Sequence, residues 1–314
     1  MILSILIPTY NRSVFLIKNL ELLLGFMNQS AFKEQIEVIV SNNCAPDDTD
    51  SVVKKYIEEN PSFKLHYFKQ ANNIGLEKNA LFVLEQSKAA YVMYLGDDDF
   101  ISFEYLEGVL KHVSSYKKTT VIIPAFYNID LSGARLGLGR DHNFPNKIFP
   151  KGFKSCFINS HRGHQMSGLV LKQDGLLKEY KEKEVQNIYL FIYFVAYNCL
   201  RGDTYHFPEF PVQVTNPGQQ SKDWTYGEDG LLNNVFNNYA KLELTKVQIT
   251  KLQLVFYKKQ PWRLWNYKKL STKKFMQAFV KIWLVTNGTF LFKITFPLQV
   301  IWLKLYAELK TMIK

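Results

Sequence analysis

Residues 91–100 read YVMYLGDDDF, a short apolar run that stops abruptly at Asp97, Asp98 and Asp99. Such a run is expected of a buried strand reaching the edge of its sheet. Three adjacent carboxylates repel one another, so a positive charge is expected to offset them. A hard divalent cation, Mg2+ or Mn2+, does so when one or two carboxylates hold it and it bridges a diphosphate. The alternative is a solvated cap, since Asp also favours helix starts such as the one following Phe100.

Working outward, the same pattern of strand followed by polar turn recurs at SILIPTYNR (residues 4–12), EVIVSNNCAPDD (37–48) and NNIGLEKNA (72–80). The apolar runs predict strands at Ile2 to Ile7, Glu37 to Val40, Lys64 to Phe68, Tyr91 to Leu95 and Thr120 to Ile123. Between them Val14, Ile17, Leu20 and Leu24 recur at helical spacing, as do Val52, Val53, Tyr56 and Ile57 behind the capping cluster Asp47 to Asp50. Further helices are expected over Leu76 to Gln86 and Phe103 to Val113. This alternation predicts βαβ units, hence an α/β fold with a mostly parallel sheet flanked by helices.

Residues 126–165 carry turn chemistry, including DLSGARLGLGR (130–140), and predict a hairpin or long loop over the sheet. Their glycines make no dinucleotide fingerprint, because no strand leads into them and no helix follows. MSGLVL (166–171) reads as a strand, Val185 to Leu200 as a mostly buried helix, and TYHF (204–207) with FPVQV (210–214) as returning strands. From Thr225 onward the pattern is helical. The expected divisions are 1–125, 126–224, and 225–314, the last a helical tail forming a unit of its own.

Each polar turn sits where open α/β sheets bind ligands, at the carboxyl ends of strands. Pro8, Thr9, Tyr10, Asn11 and Arg12 form the first exit, which serves either a nucleotide base or an ordinary helix cap. Ser41, Asn42 and Asn43 offer hydrogen bonds to base and ribose, or an Asx turn. Asn73 and Gly75 precede a helix with Lys78 in its first turn, a start suited to phosphate.

In order and spacing these four segments resemble glycosyltransferase family two, which has the GT-A fold; within it they are similar to bacterial O-antigen and capsule transferases such as abequosyltransferases. The resemblance implies that Thr9, Tyr10 and Asn42 contact the nucleobase, that Lys78 lies near the diphosphate, and that Asp97 and Asp98 are the acidic metal motif, with Asp98 the direct ligand and Asp99 beside it. Two positions depart from the family: Asn42 stands where a base-binding Asp is common, and Gly96 where the first Asp of an Asp-x-Asp motif is common. The family's general base comes from a Glu-Asp pair, which falls here at Gln186 and Asn187. Glu184 is the nearest carboxylate, with Asp174 and Asp203 as weaker candidates. His161 and His164, three apart, are either surface-loop residues or groups that hold a phosphate or sugar hydroxyl or act as base.

The resemblance implies an inverting transfer from a UDP-, dTDP- or CDP-linked sugar to a glycan or lipid-linked acceptor in cell-surface polysaccharide synthesis. Two rivals stand beside it. One is a sugar nucleotidyltransferase, for which a Gly-rich, Arg-Lys-containing loop after the first strand is missing. The other is a non-catalytic sugar-nucleotide or membrane-surface binding protein that has lost its base.

Bulk composition limits the setting. Of 314 residues 47% are hydrophobic, which excludes a disordered chain. Three unpaired cysteines, Cys44, Cys156 and Cys199, suit a reducing compartment. The first residues carry no basic leader and too short an apolar run for a signal peptide. The net charge of +11 is uneven, since residues 241–314 hold 15 Lys or Arg against Glu243 and Glu308. A nucleic-acid binder would carry such charge around its reading groove, so nucleic acid is not the expected partner. Leu298, Ile301, Trp302, Leu305 and Leu309 recur at helical spacing among lysines, which predicts attachment to an anionic membrane on its cytoplasmic face without crossing it. The alternative is that these apolar faces pack back on the catalytic part or form a homo-oligomer interface.

Overall fold

Leu3–Thr9 is wholly buried, and as β1 it lies between two parallel neighbours, β2 (Ile36–Asn42) and β4 (Tyr91–Tyr94). A strand covered on both faces and both edges is mostly apolar, and its two hydroxyls are bonded, Ser4 to Glu37 and Thr9 to Asp97. The computed structural model describes residues 1–216, 227 and 229–312, without the side chains of Leu138 and residues 307–312. Among these residues one sheet has the order β3-β2-β1-β4-β8-β5-β9-β7, where β3 is Leu65–Lys69, β5 Thr119–Ile129, β7 Lys147–Phe149, β8 Val170–Lys172 and β9 Asp203–Thr215. A further strand, β6 (Arg135–Arg140), pairs with β5. Helices α1 (Ser13–Gln29), α2 (Thr49–Glu59), α3 (Leu76–Gln86) and α4 (Phe103–Ser115) connect the first strands as crossovers. The expected α/β architecture is therefore present.

The region expected as hairpin or loop contains more structure than that. β5 turns into β6 around Asp130, whose carboxylate accepts from the backbone of Ser132 and Ala134, each at 2.9 Å. Beyond β7, α5 (Phe153–Asn159) and a 3-10 turn (Ser160–His164) pack on α7 (Leu190–Arg201). Gly163 fits there because a Cβ would lie 2.4 Å from the Phe191 carbonyl oxygen. The helix expected from Val185 begins only at Leu190, after a separate α6 (Leu176–Glu182). Glu184 and Gln186 both have left-handed φ, 49° and 39°, and an L-residue there ends a right-handed helix. TYHF and FPVQV belong to the single strand β9, whose register against β5 shifts between Pro124 and Phe126.

Helices α8 (Leu232–Ala240), α9 (Lys246–Lys259), α10 (Trp262–Lys268), α11 (Thr272–Trp283) and α12 (Phe290–Met312) follow. The boundary expected at 224–225 lies outside the described residues. These helices are not set apart from the sheet. Ala278, Ile282, Phe292 and Phe296 are fully buried in one cluster with Phe256, Phe236, most of α7, and Tyr94 and Leu6 of the sheet. Phe292 meets Phe236 edge-on at 4.8 Å and stacks on Phe296 at 5.1 Å. Phe292→Ala should therefore cost about 3–5 kcal/mol, as for other buried aromatic truncations. Thermal unfolding of this variant should remain a single transition at lower temperature; a separate early transition confined to helix signal would show that α11 and α12 unfold alone.

Candidate active site

Parallel pairing brings three strand exits level. Thr9 at the end of β1 faces Asn42 at the end of β2, which faces Lys69 at the end of β3. On the other side of β1, β4 delivers Gly96 and the three aspartates. The four polar turns found in the sequence thus share one edge of the sheet.

The aspartates are not equivalent. Asp97 is buried and accepts from the Thr9 hydroxyl at 2.7 Å and from the Tyr10 backbone N–H at 3.4 Å. Burial pushes its carboxyl pKa up, while Arg12, 3.6 Å away, and the Thr9 bond pull it down. Asp99 is buried too and turns inward: it accepts from Ser167 Oγ, from Gln165 Nε2 at 3.1 Å and from Thr215 N at 2.9 Å. Burial raises it to about 6, against the pull of the Ser167 and Thr215 bonds. Asp98 alone is partly exposed, and its carboxylate pairs with the Arg12 guanidinium. Asn19 of α1 ties the turn together, donating to the carbonyls of Gly96, Asp97 and Asp99 at 3.1, 3.4 and 2.7 Å. The helix after Phe100 is capped by Ser102, which accepts from Tyr105 N, so Asp99 is not its cap.

Gly96, the departure from the expected Asp, has a steric reason. A Cβ there would lie 2.9 Å from Asp99 Oδ2 and 3.1 Å from Ser167 Oγ, so the inward turn of Asp99 excludes a side chain at 96. Ser167, Gln165 and Thr215 were not foreseen as site residues; they lie 66 to 116 positions from Asp99, and no local pattern marks them.

The neighbouring exits are ordered by their own side chains. Asn42 is fully buried, donating to Tyr67 OH at 2.9 Å and accepting from Ala45 N at 2.8 Å. Asn43 and Asn73 are joined at 2.8 Å, and each accepts a backbone N–H from the turn that opens α3: Ile74 to Asn43 and Gly75 to Asn73. Gly75 holds φ 82° there. Pro8 is buried within β1, Asn11 takes a left-handed φ of 58°, and Lys78 is exposed in the first turn of α3.

The base candidates fall in different places. Glu184 is exposed on the turn after α6. That segment is linked to α3, because Tyr180 donates to Glu77 at 2.6 Å and receives Asn187 N at 3.3 Å. Asn187 is buried against Asn238 at 3.0 Å, and Gln186 is exposed. Asp203 accepts from Tyr116 OH and Lys151 N, each at 2.9 Å. His161 and His164 belong to the 3-10 turn beneath the hairpin, beside a buried ion cluster. There Asp141 receives Arg162 at 2.5 and 3.1 Å and lies 3.2 Å from Arg140 and 3.4 Å from His206. Although burial works against it, the His206 and Arg162 bonds hold the Asp141 carboxyl well below its usual range. Burial, with Arg140 next, pushes His164 down to about 3; burial and Arg162 push His161 well below its ordinary value.

As to metal, no group of three His, Cys, Asp or Glu is arranged to hold an ion among the described residues. The chemistry of Asp97 and Asp98 nevertheless suits one: these are hard oxygen donors at the site edge, and they already face a cation, the Arg12 guanidinium. Mg2+ is bound by such a pair when phosphate oxygens and water complete its shell.

Comparison with known proteins agrees with this geometry. The family model for glycosyl transferase family 2 matches residues 4–173. The minor teichoic acid biosynthesis protein GgaB of Bacillus subtilis is 27% identical over 46% of this chain and 15% of its own length. Abequosyltransferase RfbV of Salmonella typhimurium is 31% identical over 34% of this chain and 31% of its own. The matched stretch thus spans less than a third of either relative. Among solved structures, S. aureus TarS 1-349 in complex with UDP-GlcNAc superposes with a TM-score of 0.67 at 18% identity, covering 90% of this chain and 81% of that one. The mannosyltransferase PcManGT from Pyrobaculum calidifontis, in complex with GDP-Man and Mn2+, does so at 0.56 and 11%, covering 90% and 87%. The chain belongs to glycosyl transferase family 2 and has the GT-A fold.

Proposed function

We propose that the chain transfers a sugar, with inversion, from a nucleoside diphosphate to a hydroxyl of a glycan or lipid-linked acceptor in cell-surface polysaccharide synthesis. The observation that carries this reading is the Asp98 carboxylate, half-buried and paired with the Arg12 guanidinium at the level exits of β1 and β4. The UDP-GlcNAc and GDP-Man bound by the two structural neighbours, and the teichoic acid biosynthesis in the name of GgaB, support it.

In this reading the nucleotide lies over Pro8 to Arg12 with its diphosphate toward the start of α3 and Lys78. Asn42, being buried and spent on Tyr67 and Ala45, shapes the base pocket through them. When bound at Asp98 and Asp97, Mg2+ or Mn2+ supplies Lewis-acid stabilisation of the departing diphosphate. Arg12 offsets the Asp97 and Asp98 carboxylates and, with a cation held there, would be available to phosphate oxygens. Asp99 keeps the turn in place. Glu184 takes the acceptor proton on its carboxylate, since it is exposed and its turn is linked to α3, whereas His161 is buried, His164 half-buried, and both are weakly basic.

The enzyme works, in the same proposal, at the cytoplasmic face of a membrane. No described helix is long and apolar enough to cross one. Exposed Phe290, Ile294, Leu298, Ile301 and Leu305 fall on one stripe of α12, within a segment rich in Lys. Such a helix lies in the interface plane.

Four outcomes are expected. Asp98→Ala should lower kcat by about 10²–10³-fold, the scale of losing one electrostatic stabiliser, and abolish Mn2+-dependent nucleotide binding in calorimetry while circular dichroism is unchanged; Asp97→Ala should weaken binding less, and Asp99→Ala should mainly lower the melting temperature. Glu184→Gln should lower kcat by about 10²–10⁴-fold, the usual share of a general base, with donor affinity unchanged. The histidines should act on stability instead. Unfolded His binds a proton near pH 6.5 and folded His164 only near 3, so stability is lost as pH falls through that window, by up to about 1.4 kcal/mol per pH unit for each His. His164→Gln should flatten that slope in denaturant titrations; an inactive His164→Gln with wild-type stability would move the base to the histidine pair. Finally, Leu298→Glu combined with Leu305→Glu should release the protein from phosphatidylglycerol vesicles in a flotation assay, and raised salt should do the same.

A further inference from the structure

α12 contains Pro297, which has no N–H to give to the carbonyl of Lys293 four residues earlier. That carbonyl is not left bare, for the Trp283 indole of α11 donates to it at 2.5 Å. The proline thus replaces a bond within one helix by a bond between two. Its ring, with Val300 and Ile301 of α12, Phe275 and Phe279 of α11 and Trp265 of α10, walls a groove of about 380 Å³. The lining is mostly carbon, and the charged groups along it are Lys268 and Lys304. Ile301, which is 57% exposed, belongs both to the groove and to the apolar stripe of α12, so the groove is continuous with that stripe.

We propose that this groove seats the hydrocarbon chain of a phosphorylated lipid, with Lys268 and Lys304 meeting its phosphate. Its size falls in the range of about 300–1,000 Å³ typical of small-ligand sites. Two features choose this occupant. The lining has the composition of a chain-binding slot with cations along it, which suits an anionic amphiphile and does not suit a sugar or a nucleotide. A second copy of this chain is opposed by charge, because self-pairing would bring together two segments that each hold 15 Lys or Arg against two acidic residues. An anionic lipid meets the same charge favourably. The proposal deepens the membrane and lipid-linked-acceptor reading and rests on it for the source of the lipid: a chain leaving the bilayer beside Ile301 enters the groove from its open side.

The test uses the full chain and a soluble probe, geranyl phosphate kept below its micelle concentration, beside inorganic phosphate and phosphatidylglycerol vesicles. Calorimetry should show saturable binding of geranyl phosphate and none of inorganic phosphate in the same range. Thr272→Trp, an exposed position on the groove wall just after the Ser271 cap, should plug the slot and weaken the probe by about tenfold or more, which corresponds to 1.4 kcal/mol. Lys268→Glu should weaken it comparably, and neither variant should alter the melting temperature appreciably. Geranyl phosphate that fails to bind, binds Thr272→Trp as well as wild type, or is matched by inorganic phosphate would overturn the groove. So would a wild-type dimer in sedimentation that Thr272→Trp dissociates, since a second copy would then fill it. The membrane reading is judged separately by flotation: Leu298→Glu with Leu305→Glu should lose vesicles and keep geranyl phosphate, whereas Thr272→Trp should keep vesicles and lose geranyl phosphate.

Discussion

Two carboxylates buried side by side at the end of β4 are the constraint around which the catalytic edge is built. Taking Asp97 and Asp99 out of water raises both, and only dense hydrogen bonding and a nearby cation make the arrangement tolerable. The partners come from far apart in the chain: Thr9 and Tyr10 from the β1 exit, Asn19 from α1, Gln165 and Ser167 from the approach to β8, and Thr215 from the end of β9. Satisfying the turn that carries these two residues therefore positions four other parts of the chain. It also specifies Gly96, since the space a side chain would need is taken by the Asp99 carboxylate.

This division of labour explains how a run of like charges becomes a site. If all three aspartates faced outward, their repulsion would favour protonation or disorder of the turn. With Asp99 committed inward and Asp97 bonded to Thr9, the turn leaves the Asp98 carboxylate to pair with Arg12, with both groups largely buried. A rigid carboxylate that has been partly desolvated is a better electrostatic partner for a diphosphate and its cation than a flexible one, because little reorganisation accompanies binding.

Much of the fold was legible because each early strand is an apolar run ended by polar turn residues, and parallel strands bring those ends to one edge. What was not legible depended on partners distant in sequence. Nothing near Asp99 marks Thr215, 116 residues away, so the three aspartates could not be told apart. The break between α6 and α7 rests on left-handed backbone at Glu184 and Gln186, residue types that carry no strong signal for it. His161 and His164 have the spacing of a site, yet His161 is buried and His164 half-buried beside Arg140 and Asp141, which approach only in three dimensions. The C-terminal helices misled differently. Their apolar periodicity is legible, but not which residues are covered by the rest of the chain; Ile282, Phe292 and Phe296 turn inward and join these helices to the sheet's own core.

That shared core bears on how a surface-bound transferase would work. α12 packs through Phe292 and Phe296 on helices that pack on α7, and Phe191 of α7 meets the ring of Tyr94 at 4.7 Å. Tyr94 is two residues from Gly96 and three from Asp97. Interiors are packed at crystal-like density, so this continuous run of contacts ties α12 to the strand that ends at the aspartates. Under the membrane proposal, the bilayer plane would then lie at one height and tilt relative to the site. An acceptor held at that plane would present its hydroxyl within a narrow range of positions, as single displacement requires of two reactants that must be aligned. A tail joined by a flexible linker would raise local concentration but leave that alignment to chance; burying the tail's inner face in the catalytic core gives both.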